Sequence, residues 1–184
     1  GKSTILEGLN IPNSDYILCT IHRDSNTDDA KNLNSIFRAL LSIQQSSLWS
    51  IILPLHPRTR KKMDELLHPD LRIMLESNAS IKLISPAGFI DIITLEKNAQ
   101  LIITDSGGLQ KEAFFFQKPC VILRDQTEWI EIVENGNAVL AGADEEKICN
   151  AFKNLSSRND FTFPSFYGDA NAAEFICSKI ISDL

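Results

Sequence analysis

The stretch 104–116, TDSGGLQKEAFFF, follows the apolar run LIIT and precedes QKPCVILRD. Gly107 and Gly108 remove Cβ atoms where a strand would turn into a helix. Amides at the helix start and the Ser106 hydroxyl can therefore converge on phosphate oxygens. Glu112 falls about one turn further on, where a carboxylate suits two vicinal hydroxyls such as those of a ribose and would repel a phosphate at which it pointed. The plainer alternative is a strand, a turn and a helix with Ser106 as N-cap and Glu112 solvated. His22 ends an earlier apolar run and is followed by Arg23; a histidine there can donate to a diphosphate, move a proton, or simply close a loop. In LPLHPRT the neighbouring prolines favour a structural role for His56, and His68 in LLHPD reads as solvated or capping. Arg124 and Asp125, in LRDQTEW, are expected to pair with each other or with loop backbone. Trp129 and the three phenylalanines 114–116 read as packing. The spacing indicates neither a Ser/His/Asp arrangement nor a metal cluster.

These residues need a frame. DYILCTIH is a β-rich run, and in the following NTDDAKNLNSIFRALLSI the residues Leu33, Ile36, Phe37, Leu40 and Leu41 share a helical face. Asn26 and Thr27 offer an N-cap there, with Asp28 and Asp29 at the positive end of the helix dipole. The alternation continues with SIILPL (strand), TRKKMDELL (helix), IKLI (strand), FIDIITLEKN (helix) and LIIT (strand). After the glycine turn come LQKEAFFF (helix), CVIL (strand), WIEIVENG (helix), AVL (strand) and DEEKICNAFKNL (helix). FTFPSFYGDA breaks the rhythm before a last helix, NAAEFICSKIISDL, with Phe175, Ile176, Ile180 and Leu184 apolar. Strands apolar on both faces, alternating with helices, predict a doubly wound parallel sheet. TIHRDSN, LHPRT, SPAG, TDSGG and LRDQTEW all fall at the carboxyl ends of its strands, where such sheets bind ligands.

With 184 residues, 43% of them hydrophobic, the chain is expected to form one domain, 1–184. A net charge of −6 argues against a general nucleic-acid or acidic-membrane surface, so an anion must be held locally. Cys19, Cys120, Cys149 and Cys177 are widely spaced and read as buried, reduced thiols of a cytosolic protein. No apolar run approaches ~20 residues, so neither a membrane span nor a signal peptide is expected. The opening GKST resembles the tail of a phosphate-binding P-loop but lacks the preceding strand and first glycine; a start on Gly suggests an excised domain.

Four stretches, TIHRDSNTDD, LPLHPRTR, LIITDSGGLQKEAFFFQKPCVILRDQTEWIEIVENGN and FYGDANAAEFI, together resemble the non-hydrolysing UDP-N-acetylglucosamine 2-epimerase family in order along the whole chain. The resemblance implies a Rossmann-like fold forming the C-terminal half of a GT-B-type two-domain enzyme, with the N-terminal domain absent. It implies UDP as the anion, with Ser106, Gly107 and Gly108 on the diphosphate, Glu112 on the ribose, His22 required for activity, and Arg23 and Arg124 in support. The reaction it implies is an anti elimination of UDP to 2-acetamidoglucal followed by re-addition with inversion at C2, without cofactor or metal. The proton-shuttling carboxylates of the family belong to the N-terminal domain, so this chain alone is expected to be inactive. A cytoplasmic homodimer making surface polysaccharide precursors is the implied setting. The chain departs from the family's usual pattern at Ser25–Asn26 and at TEWIE, where Trp129 replaces an arginine. Ala87 and Ile92 replace a glutamine and a phenylalanine beside the uracil. Arg23 and His56 stand where some bacterial members have an activator site. The TEW form is similar to the branch acting on UDP-2,3-diacetamido-2,3-dideoxy-glucuronate. That substrate, a GT-B glycosyltransferase and a non-catalytic UDP-binding module are the alternatives.

Overall fold

The computed structural model describes residues 3–9, 15–168 and 171–182. Gly1 and Lys2 of GKST, Asp169 and Ala170 of FYGDA, and Leu184 lie outside the described residues. The described elements run α1 (Ile5–Leu9), β1 (Tyr16–Thr20), α2 (Asp24–Thr27), α3 (Ala30–Ser47), β2 (Ser50–Pro54), α4 (Pro57–Leu66), α5 (Pro69–Ser77) and β3 (Ile81–Ile84). They continue with α6 (Phe89–Asn98), β4 (Leu101–Thr104), α7 (Gly107–Phe115), β5 (Cys120–Ile122), α8 (Ile130–Glu134), β6 (Ala138–Leu140), α9 (Glu145–Ser156) and α10 (Ala172–Ser182).

The six strands form one sheet in the order β3-β2-β1-β4-β5-β6, every pairing parallel. This is the expected doubly wound, Rossmann-like arrangement. Strand side chains alternate between two cores. Ile17, Cys19, Ile51, Leu53, Leu101 and Ile103 join α3, α5 and α9 on one face. Tyr16, Leu18, Ile52, Ile102, Cys120 and Ile122 join Leu95 of α6, Phe114 of α7 and Ile132 of α8 on the other. Period-2 alternation thus puts apolar residues on both faces, which is why the strands read as continuous apolar runs.

The expected face of α3 is buried throughout, at Leu33, Ile36, Phe37, Leu40 and Leu41. Its cap differs from the expectation. Asp29 is the N-cap, accepting from the Asn32 amide at 2.9 Å, whereas Asn26 and Thr27 are buried within α2. Three helices were not foreseen: α1, with no buried residue; α2, which takes up the residues read as a cap; and α5, which begins at Pro69 with His68 as a backbone N-cap. The four thiols are free, but only Cys19 and Cys120 are buried; Cys149 is half-buried and Cys177 exposed. The break after α9 folds back as an aromatic cluster in which Phe163, Phe166 and Tyr167 lie 5.4, 5.4 and 5.8 Å from Phe114. The apolar residues Phe175, Ile176 and Ile180 of α10 are exposed. Among the described residues no helix is long and apolar enough to cross a membrane.

Candidate functional site

Strand order reverses between β1 and β4, so the connections leaving these neighbours diverge and open a crevice at their carboxyl ends. Thr20 and Thr104 close the two strands with a 2.6 Å hydroxyl contact. Directly beyond lies Asp105, 0% exposed. Its carboxylate accepts from the amides of His22 (3.1 Å) and Arg23 (3.0 Å) and from the side-chain amide of Asn26 (3.1 Å). The Nδ1 of His22 also approaches it to 3.1 Å. Burial drives the Asp105 carboxyl upward, but the bonds from His22, Arg23 and Asn26 outweigh burial and hold it below the usual carboxylate range. The hydrogen bond to Asp105 in turn raises His22, against partial burial and the nearby Arg23 charge. With Nδ1 committed to Asp105, the 47% exposed imidazole keeps Nε2 for a ligand.

Ser106 is the N-cap of α7: its hydroxyl oxygen accepts from the Leu109 amide at 3.4 Å, and its own amide donates to the Thr104 hydroxyl at 2.9 Å. The serine proton remains free to donate. Among the described residues no acceptor meets the amides of Gly107 and Gly108, so two donors point outward at the positive end of the helix dipole. The positive-φ glycines are Gly136, Gly142 and Gly168, so Gly107 and Gly108 are not needed for backbone conformation. What they provide is room. A Cβ on Gly108 would meet only the Ser106 hydroxyl, at 3.8 Å, and one on Gly107 would meet the side chains of Glu128, Arg124 and Arg23 at 3.4, 3.7 and 3.9 Å.

The β5–α8 connection straps this turn down. Trp129 donates from its indole Nε1 to the Gly107 carbonyl at 2.7 Å, and Thr127 contacts Gln110 at 2.5 Å. Arg124 does not pair with Asp125. It forms two 2.7 Å bonds to Glu128, whose carboxyl this holds down at about 2. Asp125 instead backs Gly142, where a Cβ would come 2.6 Å from its Oδ1 and φ is +58°. The Lys111 ammonium lies 4.5 Å over Trp129 and 4.4 Å over Tyr167.

Two cavities lie at the carboxyl ends of the strands, and neither is lined by Ser106, Gly107 or Gly108. One, of about 320 Å³, is mainly apolar and bounded by His22, His56, Ala87, Ile92 and Leu109. The other, of about 620 Å³, is polar and bounded by Arg23, Ser25, Lys31, Arg124, Asp125 and Asp144. Arg124 and Arg23 lie 3.7 and 3.9 Å from where a Gly107 Cβ would stand, and His22 meets Asp105 directly before Ser106, so His22, Arg23, Ser106, Gly107, Gly108 and Arg124 share one rim. Glu112 is half-buried one turn into α7 and borders neither cavity. His56 caps α4 and faces the apolar cavity, while His68 is exposed elsewhere. Sequence reasoning missed the roles of Asp105, Asn26 and Trp129. The one available signal was the carboxylate placed directly before Ser106.

Residues 2–181 match the sequence profile of the UDP-N-acetylglucosamine 2-epimerase family. A UDP-N-acetylglucosamine 2-epimerase homolog of Methanococcus maripaludis is 41% identical over 92% of this chain and 45% of its own length. The UDP-2,3-diacetamido-2,3-dideoxy-D-glucuronate 2-epimerase of Pseudomonas aeruginosa is 42% identical over 90% of this chain and 44% of its own. The crystal structure of Methanocaldococcus jannaschii UDP-GlcNAc 2-epimerase in complex with UDP-GlcNAc and UDP superposes with a TM-score of 0.82 at 35% identity, over 98% of this chain and 49% of that one. The chain spans about half the length of these relatives.

Proposed function

The chain belongs to the UDP-N-acetylglucosamine 2-epimerase family, and from that premise we propose that it is the C-terminal, UDP-gripping half of a non-hydrolysing UDP-N-acetylglucosamine 2-epimerase. The observation that carries this reading is the pair of free amides at Gly107 and Gly108 beside an Asp105-held His22. The diphosphate lies on those amides and the Ser106 hydroxyl, the ribose hydroxyls bond to Glu112, and the uracil enters the apolar cavity between Ala87, Ile92 and Leu109. Arg23 and Arg124 add positive charge at the rim.

In the reaction, C2 of the sugar loses a proton to a base from the other half while the C1–O bond breaks, leaving 2-acetamidoglucal and UDP. A proton then reaches the opposite face of C2 as a diphosphate oxygen rebonds to C1. Charge grows on the diphosphate as it leaves, so His22 acts there: Asp105 favours its protonated form, and Nε2 donates to the departing oxygen. Holding UDP in place between the two steps makes the return effectively intramolecular. The whole protein works in the cytoplasm as a homodimer, supplying precursors for surface polysaccharide.

The uronate substrate is the second reading, supported by the 42% identity to the Pseudomonas aeruginosa enzyme and by Trp129 in TEW. Both are tested by incubating the protein comprising both halves with each UDP-sugar in heavy water and following C2 by proton NMR. Deuterium at C2 with appearance of the epimer identifies the substrate. The chain alone gives no turnover, and robust turnover by it refutes the division into halves.

A further inference from the structure

Three charged groups converge on the open side of the glycine turn. Around the point where a Gly107 Cβ would stand lie Glu128 Oε2 at 3.4 Å, Arg124 Nη1 at 3.7 Å and Arg23 Nη2 at 3.9 Å. Arg23 is tied in place by its Nε, which donates to the Asp105 carbonyl at 3.0 Å. The Arg124 side chain is 11% exposed, and its two terminal nitrogens each donate to Glu128 at 2.7 Å. Among the described residues no other acceptor meets that guanidinium. Glu128 itself is 56% exposed. The pair is thus a largely buried cation with a counter-ion that faces solvent.

A carboxylate and a phosphoryl group offer an arginine fork the same two acceptor oxygens. The bonds from Arg124 keep Glu128 ionised, so a diphosphate on the Gly107 and Gly108 amides would meet a like charge beside it. One of the two anions has to give way, and the exposed side chain is the one with room to move.

We propose that Glu128 is a specificity-determining residue: it occupies the Arg124 guanidinium in the free protein as a stand-in for phosphate, and the diphosphate of a nucleotide displaces it into solvent. The inference rests on the reading that places the diphosphate at the glycine turn. Breaking the pair subtracts from the affinity of every ligand that reaches Arg124. A phosphoryl group restores both hydrogen bonds, whereas a neutral group of the same size does not. The returning carboxylate also competes with bound diphosphate, which helps the finished nucleotide sugar to leave.

The test is a double-mutant cycle on UDP affinity, measured calorimetrically with wild type, Glu128→Gln, Arg124→Gln and the double variant. Glu128→Gln is expected to bind UDP about three- to tenfold more tightly than wild type. The gain should vanish in the Arg124→Gln background, where no guanidinium is left to compete for. Weaker or unchanged binding by Glu128→Gln overturns the inference, because Glu128 would then orient Arg124 for the ligand rather than compete with it. An equal gain in both backgrounds also overturns it, since Glu128 would act only as a distant charge. A crystal structure of the UDP complex needs no variant: phosphate oxygens on Arg124 with Glu128 turned outward are expected, and an intact Arg124–Glu128 pair beside bound UDP contradicts displacement. A wild type that binds no UDP removes the glycine-turn reading itself, and this inference with it.

Discussion

The floor of the crevice and the wall behind it each bury a carboxylate completely, and the two behave in opposite ways. Asp105, on the floor, accepts two backbone amides, a side-chain amide and an imidazole, and is held in its charged form. Glu96, in the wall, meets no donor and is pushed toward its neutral form. Burial is the same; the donors supplied by neighbouring backbone differ. A buried carboxylate is thus an anchor for a cation where the chain converges on it, and a held proton where the chain does not.

The strongest way to break this contrast is at the floor. Asp105→Ala leaves the His22 and Arg23 amides and the Asn26 side chain facing a void and is expected to cost about 3 to 5 kcal/mol in urea unfolding. In whatever fraction folds, NMR titration of His22 should show its pKa falling back toward the ordinary histidine value. An unchanged titration would mean that Asp105 does not set the charge of His22.

Next in size is the pH dependence of stability, which has opposite signs at the two sites. Asp105 is depressed in the folded state, so its contribution is present above the unfolded value of about 4 and is lost as pH falls through the folded one. Glu96 is raised, so its contribution is present below about 4.3 and is lost as pH rises toward about 8. His22, also raised, adds a loss as pH climbs through its folded value. Glu96→Gln removes the Glu96 share and should gain on the order of 2 kcal/mol on the wild type between pH ~5 and pH ~8. Parallel stability curves for the two proteins would show that Glu96 is ionised throughout.

Smaller effects separate the crevice from the scaffold. Trp129→Phe keeps the ring but removes the donor to the Gly107 carbonyl. It is expected to weaken UDP binding by about 1 kcal/mol, roughly fivefold, in calorimetry. Leu48, 80% exposed with φ 62° at the end of α3, offers a control remote from both carboxylates. Leu48→Gly should stabilise the fold by about 0.5 to 1 kcal/mol in urea unfolding and leave UDP affinity unchanged.

The parallel sheet was legible because strands buried on both faces leave long apolar runs between amphipathic helices. The glycine turn was legible because two adjacent glycines between an apolar run and a helical pattern mark a strand-to-helix turn, with open space where a Gly108 side chain would stand. The organising groups were less so. Asp105 and Asn26 lie 79 residues apart and meet only through the β1–β4 pairing, which local spacing does not encode. Asn26 looks like an N-cap in sequence, and its true partners come from beyond its own helix. Trp129 reads as packing, and it does pack, but the single indole proton that ties it to Gly107 depends on how the β5–α8 connection folds back. Glu96 is fully buried on α6 with no partner for its carboxylate among the described residues, which its own segment, FIDIITLEKN, does not signal.

The account stands on UDP binding at the N-terminus of α7, and the most direct test is a ¹⁵N–¹H NMR titration of the chain with UDP. Saturable shifts at the Gly107, Gly108 and Leu109 amides, accompanied by the His22 imidazole and weakened by Ser106→Ala, are the predicted result. Shifts confined to the polar cavity near Asp125 and Asp144, or no shifts at all, would contradict it.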